Sequence, residues 1–131
     1  MKYFLVLLAG LGFTLESFSQ SSLYQSSAQL GLDRAANLYE QQLFAANLYD
    51  NTKLLATGLD LPQQKQAELQ RALSALQLDR PDGLGLIKKF VQDYSGQPDV
   101  ATAAIFLGDY YFFKNRYSEA IEAFALAPIG L

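Results

Sequence analysis

Residues 104–127 read AIFLGDYYFFKNRYSEAIEAFALA, and this stretch decides the fold. It contains two runs of mainly apolar residues, which are separated by the polar residues Lys114 to Arg116. In the first run, apolar residues cover most of the circumference of a helix, which indicates a helix enclosed on more than one side. In the second run, Ala120, Phe124 and Ala127 share one face of a helix, opposite the two glutamates. The stretch therefore predicts two helices, over 99–113 and 117–127, joined by a tight turn.

The order of residues in this hairpin resembles one tetratricopeptide repeat. The matching positions are Leu107, Gly108, Tyr111, Tyr117, Ala120, Ile121, Phe124 and Ala127. The resemblance implies that Gly108 and Ala120 face each other where the two helices approach closely. It also implies that the three aromatic residues of the set fill the space around that contact. Asn115 stands where the family usually has glycine, and asparagine also tolerates a left-handed turn.

Weaker copies precede this hairpin at a period of about 36 residues. Stepping back from Gly108 by that period reaches Ala72 and then Ala35, both small residues within helix-favouring stretches. Asn47 and Asn51 stand where the last copy has apolar residues, and the second copy lacks the usual residues of its second helix. We therefore expect an all-α fold of three helical hairpins stacked as a tetratricopeptide-like solenoid. The alternative is a helical bundle without repeats.

Turn-forming residues divide the chain beyond residue 20 into helical segments. The breaks fall at 58–62, 79–83, 95–98 and 128–130. Between them, helix-favouring residues are abundant and the alternating β-branched runs typical of strands are absent. The predicted helices are 25–41, 44–57, 63–78, 84–94, 99–113 and 117–127.

Residues 1–19 have the three-part layout of a secretory signal peptide. A single lysine precedes an apolar run over 3–15, and Ser17 and Ser19 supply small residues before the expected cleavage at residue 20. The apolar run is too short for a stable bilayer span, so we expect no permanent membrane anchor. The mature chain, residues 20–131, is predicted to be exported to the periplasm or cell envelope. A retained anchor and a buried amino-terminal helix are the alternatives.

The composition excludes most catalytic chemistries. The chain has no Cys and no His, which rules out disulfides, thiol nucleophiles, Ser/His/Asp triads and imidazole acid–base catalysis. Its formal net charge of -3 leaves no broad basic surface for phosphates, so nucleic acid is not an expected partner. The segment 83–88 begins like a dinucleotide fingerprint but lacks its third glycine, and the spacing of Asp109, Glu119 and Glu122 does not force the carboxylates together. We expect no catalytic site, no metal and no cofactor.

An aromatic cluster in the last hairpin supplies the candidate binding residues. Asp109, Tyr110 and Phe113 are not needed for the repeat contact, and Tyr combines apolar area with a polar hydroxyl. We expect these residues to face a protein or peptide partner of unknown identity. The layout of 26–127 also resembles the beginning of exported tetratricopeptide proteins of Bacteroidota-type bacteria, which implies a non-catalytic interaction scaffold. The alternatives are the docking arm of a larger envelope enzyme whose catalytic domain lies outside this chain, and a small-ligand carrier.

The final predicted helix is expected to lack a cap. It remains apolar through Ala127 and carries no charged residue after Glu122. A finished solenoid ends in a helix whose outer side is polar. We therefore expect this face to be covered by a continuation of the chain, a partner or a second copy. In isolation it would cause self-association or bind a hydrophobic dye.

Overall fold

The computed structural model describes residues 27–127, and their regular structure is entirely α-helical. Within this part of the chain there are six helices and no strand. They are α1 over 27–40, α2 Phe44–Leu55, α3 Leu61–Gln77, α4 Gly83–Asp93, α5 Asp99–Phe113 and α6 Tyr117–Phe124. The predicted all-α fold class is confirmed. The predicted signal peptide and the break at 128–130 lie outside the described residues.

The first helix of each successive pair ends in the same kind of turn. After α1, α3 and α5, one residue other than glycine adopts a left-handed backbone; these residues are Gln42, Asp79 and Asn115, with φ of 61°, 52° and 61°. After α5, the Asn115 N–H donates to the carbonyl of Phe112 (3.0 Å) and the Arg116 N–H to that of Tyr111 (2.9 Å). This Schellman pattern satisfies the last carbonyls of the helix, and it recurs after α1 and α3. The three left-handed residues are 37 and 36 residues apart, so the backbone repeats with the period expected from the sequence.

Among the helix ends that differ from their predicted positions, the start of α3 and the end of α6 do so for local reasons. The Asp60 carboxylate accepts from the Gln63 N–H (2.8 Å), and the Gln63 side chain accepts from the Asp60 N–H (3.2 Å). This capping box, with Pro62 in the first turn, starts α3 at Leu61 instead of residue 63. By contrast, α6 ends at Phe124, because the N–H groups of residues 126 and 127 bond three residues back instead of four.

Helices that follow one another in the chain pack together. From α2 to α6, each helix contacts the next, and α3 also contacts α5. No other pair among these five helices has closely packed backbones, so α4 and α6 each pack on α5 and not directly on each other. The apolar core runs through α3, α4, α5 and α6, and its largest members are Leu73, Leu76, Ile87, Phe90, Leu107 and Tyr111.

The packing of the first hairpin on α3 has a polar centre. Asn47, Asn51 and Ser74 are fully buried. The Asn47 amide donates to the Ala35 carbonyl (2.7 Å) and to Gln70 Oε1 (3.1 Å), and its Oδ1 accepts from Ser74 Oγ (2.6 Å) and Asn51 Nδ2 (2.9 Å). Because all four hydrogen-bonding positions of this amide are used, its burial avoids the cost of an unpaired polar group. The asparagines that weaken the sequence repeat are therefore interior residues of the fold.

Gly108 lies against an aromatic ring inside the last hairpin. The atoms nearest to a Cβ built on Gly108 belong to the ring of Phe124, at clashing distance. The glycine therefore makes room for this ring, and the direct contact of Gly108 with Ala120 stays a prediction. Tyr117 begins α6 at the surface, where its exposed ring packs edge-on against Phe112. Of the remaining repeat residues, Leu107, Tyr111 and Ala120 are buried and Ala127 is partly buried.

Candidate partner-binding site

A cavity of about 290 Å³ lies between the end of α3 and the second half of α5; we call it the α3–α5 cavity. Its lining includes the three residues predicted to face a partner, which are Asp109, Tyr110 and Phe113. They share one side of α5, because Phe113 follows Asp109 by four residues and Tyr110 by three. The remaining lining residues are Leu76, Gln77, Asp79, Phe106 and Lys114. The cavity therefore combines apolar walls with a charged rim.

Asp79 links the two helices at this rim. Tyr110 Oη donates to Asp79 Oδ1 (2.8 Å), and Lys114 Nζ lies 2.8 Å from Asp79 Oδ2. The Lys114 ammonium also stands 5.4 Å from the centre of the Tyr110 ring, within cation–π range. These contacts hold the left-handed turn after α3 against the last turn of α5.

Hydrogen bonding shifts the pKa of each member of this group. The bond from Lys114, followed by the bond from Tyr110, lowers the pKa of Asp79. The same contacts with Asp79 raise the pKa of the Lys114 ammonium and of the Tyr110 hydroxyl. The carboxylate and the ammonium therefore stay charged and the phenol stays neutral around neutral pH. The rim therefore offers a partner the free lone pairs of the Asp79 carboxylate and the Tyr110 oxygen as acceptors, and the remaining N–H groups of Lys114 as donors.

Phe113 is the most exposed large apolar side chain in residues 27–127, with 80% of its surface accessible. Its ring packs edge-on against Phe112, at 5.8 Å between centroids, and its remaining area faces water beside the cavity. An exposed aromatic ring gains hydrophobic free energy when a partner covers it. Next to the Asp79 group, Phe113 makes this side of α5 suited to an apolar side chain that is flanked by a polar group.

A second, larger opening lies between α4 and α6 and has a volume of about 590 Å³; we call it the α4–α6 cleft. Buried Leu107 and Tyr111 of α5 line it, with Lys88 on the α4 side and Glu119 and Glu122 on the α6 side. Sequence reasoning missed the cleft, because it exists only where α4 and α6 fail to touch, and no local pattern encodes that separation. The sequence analysis did consider the two glutamates, but it interpreted them as solvent-exposed charges with no catalytic or metal-binding role.

The three acidic residues weighed as a catalytic or metal group are divided between the two openings. Asp109 lines the α3–α5 cavity, whereas Glu119 and Glu122 line the α4–α6 cleft. Glu119 is moreover paired with Arg116 at the start of α6. Across residues 27–127, no group of three or more His, Cys, Asp or Glu side chains is arranged to hold a metal ion.

None of the helices within the described range combines the length and the hydropathy needed to cross a bilayer. Comparison with protein-family models finds no match to this chain, and no curated protein or solved structure is significantly similar to it. Function is therefore inferred from the geometry of the surfaces described above.

Proposed function

We propose that this protein is a non-catalytic protein–protein interaction scaffold, in which three helical hairpins form a tetratricopeptide-like solenoid. Two features support the repeat. The left-handed turn residues Gln42, Asp79 and Asn115 follow one another at 37 and 36 residues, and the helices from α2 to α6 pack on close neighbours in the chain. Solenoid proteins bind partners through the surfaces that such stacking leaves open.

The observation that carries the proposed role is the α3–α5 cavity. It places an exposed aromatic ring, Phe113, beside the fixed polar group formed by Asp79, Tyr110 and Lys114. Exposed aromatic residues close to satisfied polar groups are typical of the energetic centre of protein interfaces. A partner that suits the site would insert an apolar side chain and present a polar group to the rim.

We place this scaffold in the periplasm or cell envelope of a bacterium, and propose that it reaches that compartment by export. The support for export is the charge, apolar run and small residues of positions 1–19, which lie outside the described residues.

Asp109 belongs to the same proposed surface as Tyr110 and Phe113, since all three line one cavity.

Replacing Phe113 by serine tests the proposed role. The full chain, immobilised, would be exposed to an envelope extract from its host, and the retained proteins quantified by mass spectrometry. We expect Phe113→Ser to lower the retention of a specific protein by about tenfold, which corresponds to the loss of a central aromatic contact. Tyr49→Ser is the matched control, because Tyr49 is an exposed aromatic residue on α2, away from the cavity. Equal retention by both variants and the unchanged chain would contradict the role, provided that circular dichroism shows both variants folded.

A further inference from the structure

Five exposed apolar side chains of the last hairpin form one surface, which we call the end face. They are Ile105 and Phe112 on α5, and Tyr117, Ile121 and Phe124 on α6. The rings of Phe112 and Tyr117 meet at 5.4 Å, and Phe124 packs over Gly108, which lies between Ile105 and Phe112 along α5. The exposed apolar residues of α5 and those of α6 therefore form one continuous surface across the hairpin.

The preceding hairpin has the same surface. When the left-handed turn residues Asp79 and Asn115 are aligned, Leu76 of α3 corresponds to Phe112 of α5. When the first residues of α4 and α6 are aligned, the second helices match as well. The corresponding pairs there are Ile87 with Ile121 and Phe90 with Phe124.

Exposure differs sharply between the two copies of this surface. Leu76, Ile87 and Phe90 are 7%, 0% and 2% exposed, whereas Phe112, Ile121 and Phe124 are 51%, 70% and 39% exposed. The difference is explained by α5, which contacts both α3 and α4. The α2 side of the first hairpin is likewise in contact with α3. Two of the three hairpins are thus covered by a following helix, and within the described residues the third is not.

We propose that the end face binds one α-helix of another protein, in the way that α5 packs on α3 and α4. This role is additional to the proposed function and uses a surface other than the α3–α5 cavity. Helix α5 covers the equivalent surface of the preceding hairpin, so its buried side shows which side chains the partner helix needs. The buried side of α5 includes Val100, Ala103 and Leu107, so small and medium apolar residues at helical spacing meet the bulky side chains beneath.

The end face also selects against a polar helix. In the first hairpin, the covering helix α3 contributes Ser74 and Gln70, which hydrogen-bond to buried Asn47. The α6 residues at the positions of Asn47 and Asn51 are Ala120, which is buried, and Phe124, and neither side chain can accept a hydrogen bond. A helix with the polar residues of α3 would therefore bury its serine hydroxyl without a partner, at a cost in affinity.

Within residues 27–127, a second copy of this chain offers no free helix with the required stripe. Among the described helices, the small apolar stripe occurs on α5, where it is already buried in the fold. A second end face would present bulky residues instead, namely phenylalanine, tyrosine and isoleucine. We therefore assign the end face to a partner helix and not to self-association.

A labelled peptide tests this assignment. The probe carries residues 97–116, with the substitutions Ile105→Lys, Phe112→Lys and Phe113→Lys at positions that are exposed on α5, so that it stays soluble. Titration with the full chain, followed by fluorescence anisotropy, is expected to show saturable binding. A second probe, residues 59–78 with the stripe of α3, is expected to bind at least about tenfold more weakly.

Two variants of the full chain locate the binding site. Ile121→Lys introduces a charge at the centre of the end face at a position that is 70% exposed, so the fold tolerates it, and it should abolish binding of the first probe. Leu61→Lys is the matched control, because Leu61 is 75% exposed at the start of α3, and it should leave binding unchanged.

Three results would overturn the assignment. The first is that the first probe shows no saturable binding. The second is that this probe binds the Ile121→Lys variant as tightly as the unmodified chain. The third is that sedimentation equilibrium finds a dimer of the unmodified chain, which Ile121→Lys dissociates. The third result would give the end face to a second copy. Because Phe113→Ser reports on the α3–α5 cavity and Ile121→Lys on the end face, failure of one role is distinguishable from failure of the other.

Discussion

Two glycines at the start of α4 have opposite surroundings. A Cβ on Gly83 would lie 3.1 Å from backbone atoms of Ala75 and Leu76, so α4 begins in direct contact with the backbone of α3. A Cβ on Gly85 would meet nothing within 4 Å. The first glycine permits a close approach of two helices, whereas the second only adds backbone freedom to a helix.

Alanine substitution should therefore have opposite effects at these two positions. We expect Gly83→Ala to lower the free energy of unfolding by about 1–3 kcal/mol. The added methyl group meets backbone atoms, which cannot rotate away as a side chain could. Gly85→Ala should raise this free energy by about 0.5–1 kcal/mol through helix propensity. Urea denaturation followed by far-UV circular dichroism measures both. An equal gain in stability from both substitutions would show that α3 and α4 do not approach at Gly83.

At the scale of helices, the Asn47 amide joins α1, α2 and α3. Asn47→Ala removes the acceptor of the buried Ser74 hydroxyl and one of the two acceptors of Asn51 Nδ2, whose bond to the Asn47 carbonyl remains. We expect a loss of roughly 1–3 kcal/mol in unfolding free energy for the hydroxyl left unpaired. Gln41→Ala is the control, since its hydrogen bond to Asn37 is exposed, and it should change stability by less than about 0.5 kcal/mol.

A double-substitution cycle with Ser74→Ala separates the polar contact from lost packing. Once Asn47 is alanine, removal of the Ser74 hydroxyl also removes an unpaired group, so the double variant should lose less than the two single variants added together. Strict additivity would mean that the two side chains are not coupled.

Tyr94 ties the end of α4 to α3 and makes stability depend on pH in the alkaline range. Its ring packs on Phe90 (4.7 Å between centroids), and its hydroxyl donates to Glu68 Oε2 (2.7 Å). Burial, followed by this hydrogen bond, raises the pKa of Tyr94 from 10.0 to about 12. The folded state therefore holds a proton that the unfolded chain releases, and stability falls as the pH rises from 10.0 to about 12.

Denaturation midpoints measured across this pH interval test the pairing. The Tyr94→Phe variant lacks the titrating group, so its midpoint should fall less steeply with pH than that of the unmodified chain. Parallel slopes would show that the Tyr94 hydroxyl ionises equally easily in the folded and unfolded states.

Local sequence signals predicted the helices but only part of the repeat. Helix breaks depend on nearby glycine, proline and capping residues, so all six helices were found. The second copy was expected at Ala72, but the match of its second helix was missed, because the longer turn between α3 and α4 shifts Leu86, Ile87 and Phe90 out of register with the last helix. Once the longer turn is allowed, the isoleucine and phenylalanine of α4 and α6 coincide.

Long-range contacts were beyond sequence reasoning. Asn47 is satisfied by Ser74, which lies 27 positions further along the chain, so its burial has no local signature. In the same way, helical spacing placed Asp109, Tyr110 and Phe113 on one side of α5, but the contact of Tyr110 with Asp79 spans 31 positions. Periodicity identifies a face of a helix, whereas the partner of that face depends on the packing of the whole chain.

At the scale of the whole molecule, the described helices carry two surfaces that are proposed to bind partners, in addition to the α4–α6 cleft. The α3–α5 cavity combines an exposed phenylalanine with a fixed polar rim, and the end face is mainly apolar. Their different chemistry fits a scaffold that holds more than one partner, because each surface selects its own kind of ligand.

Photocrosslinking in cells that produce the protein tests most directly the central claim that the α3–α5 cavity contacts another protein. A photoreactive phenylalanine analogue at position 113 replaces the most exposed aromatic ring of the cavity, and the same analogue at position 61 serves as the exposed control. We predict a discrete crosslinked product with one other protein from position 113 and none from position 61. A lack of product at position 113, or the same product from both positions, would contradict the claim.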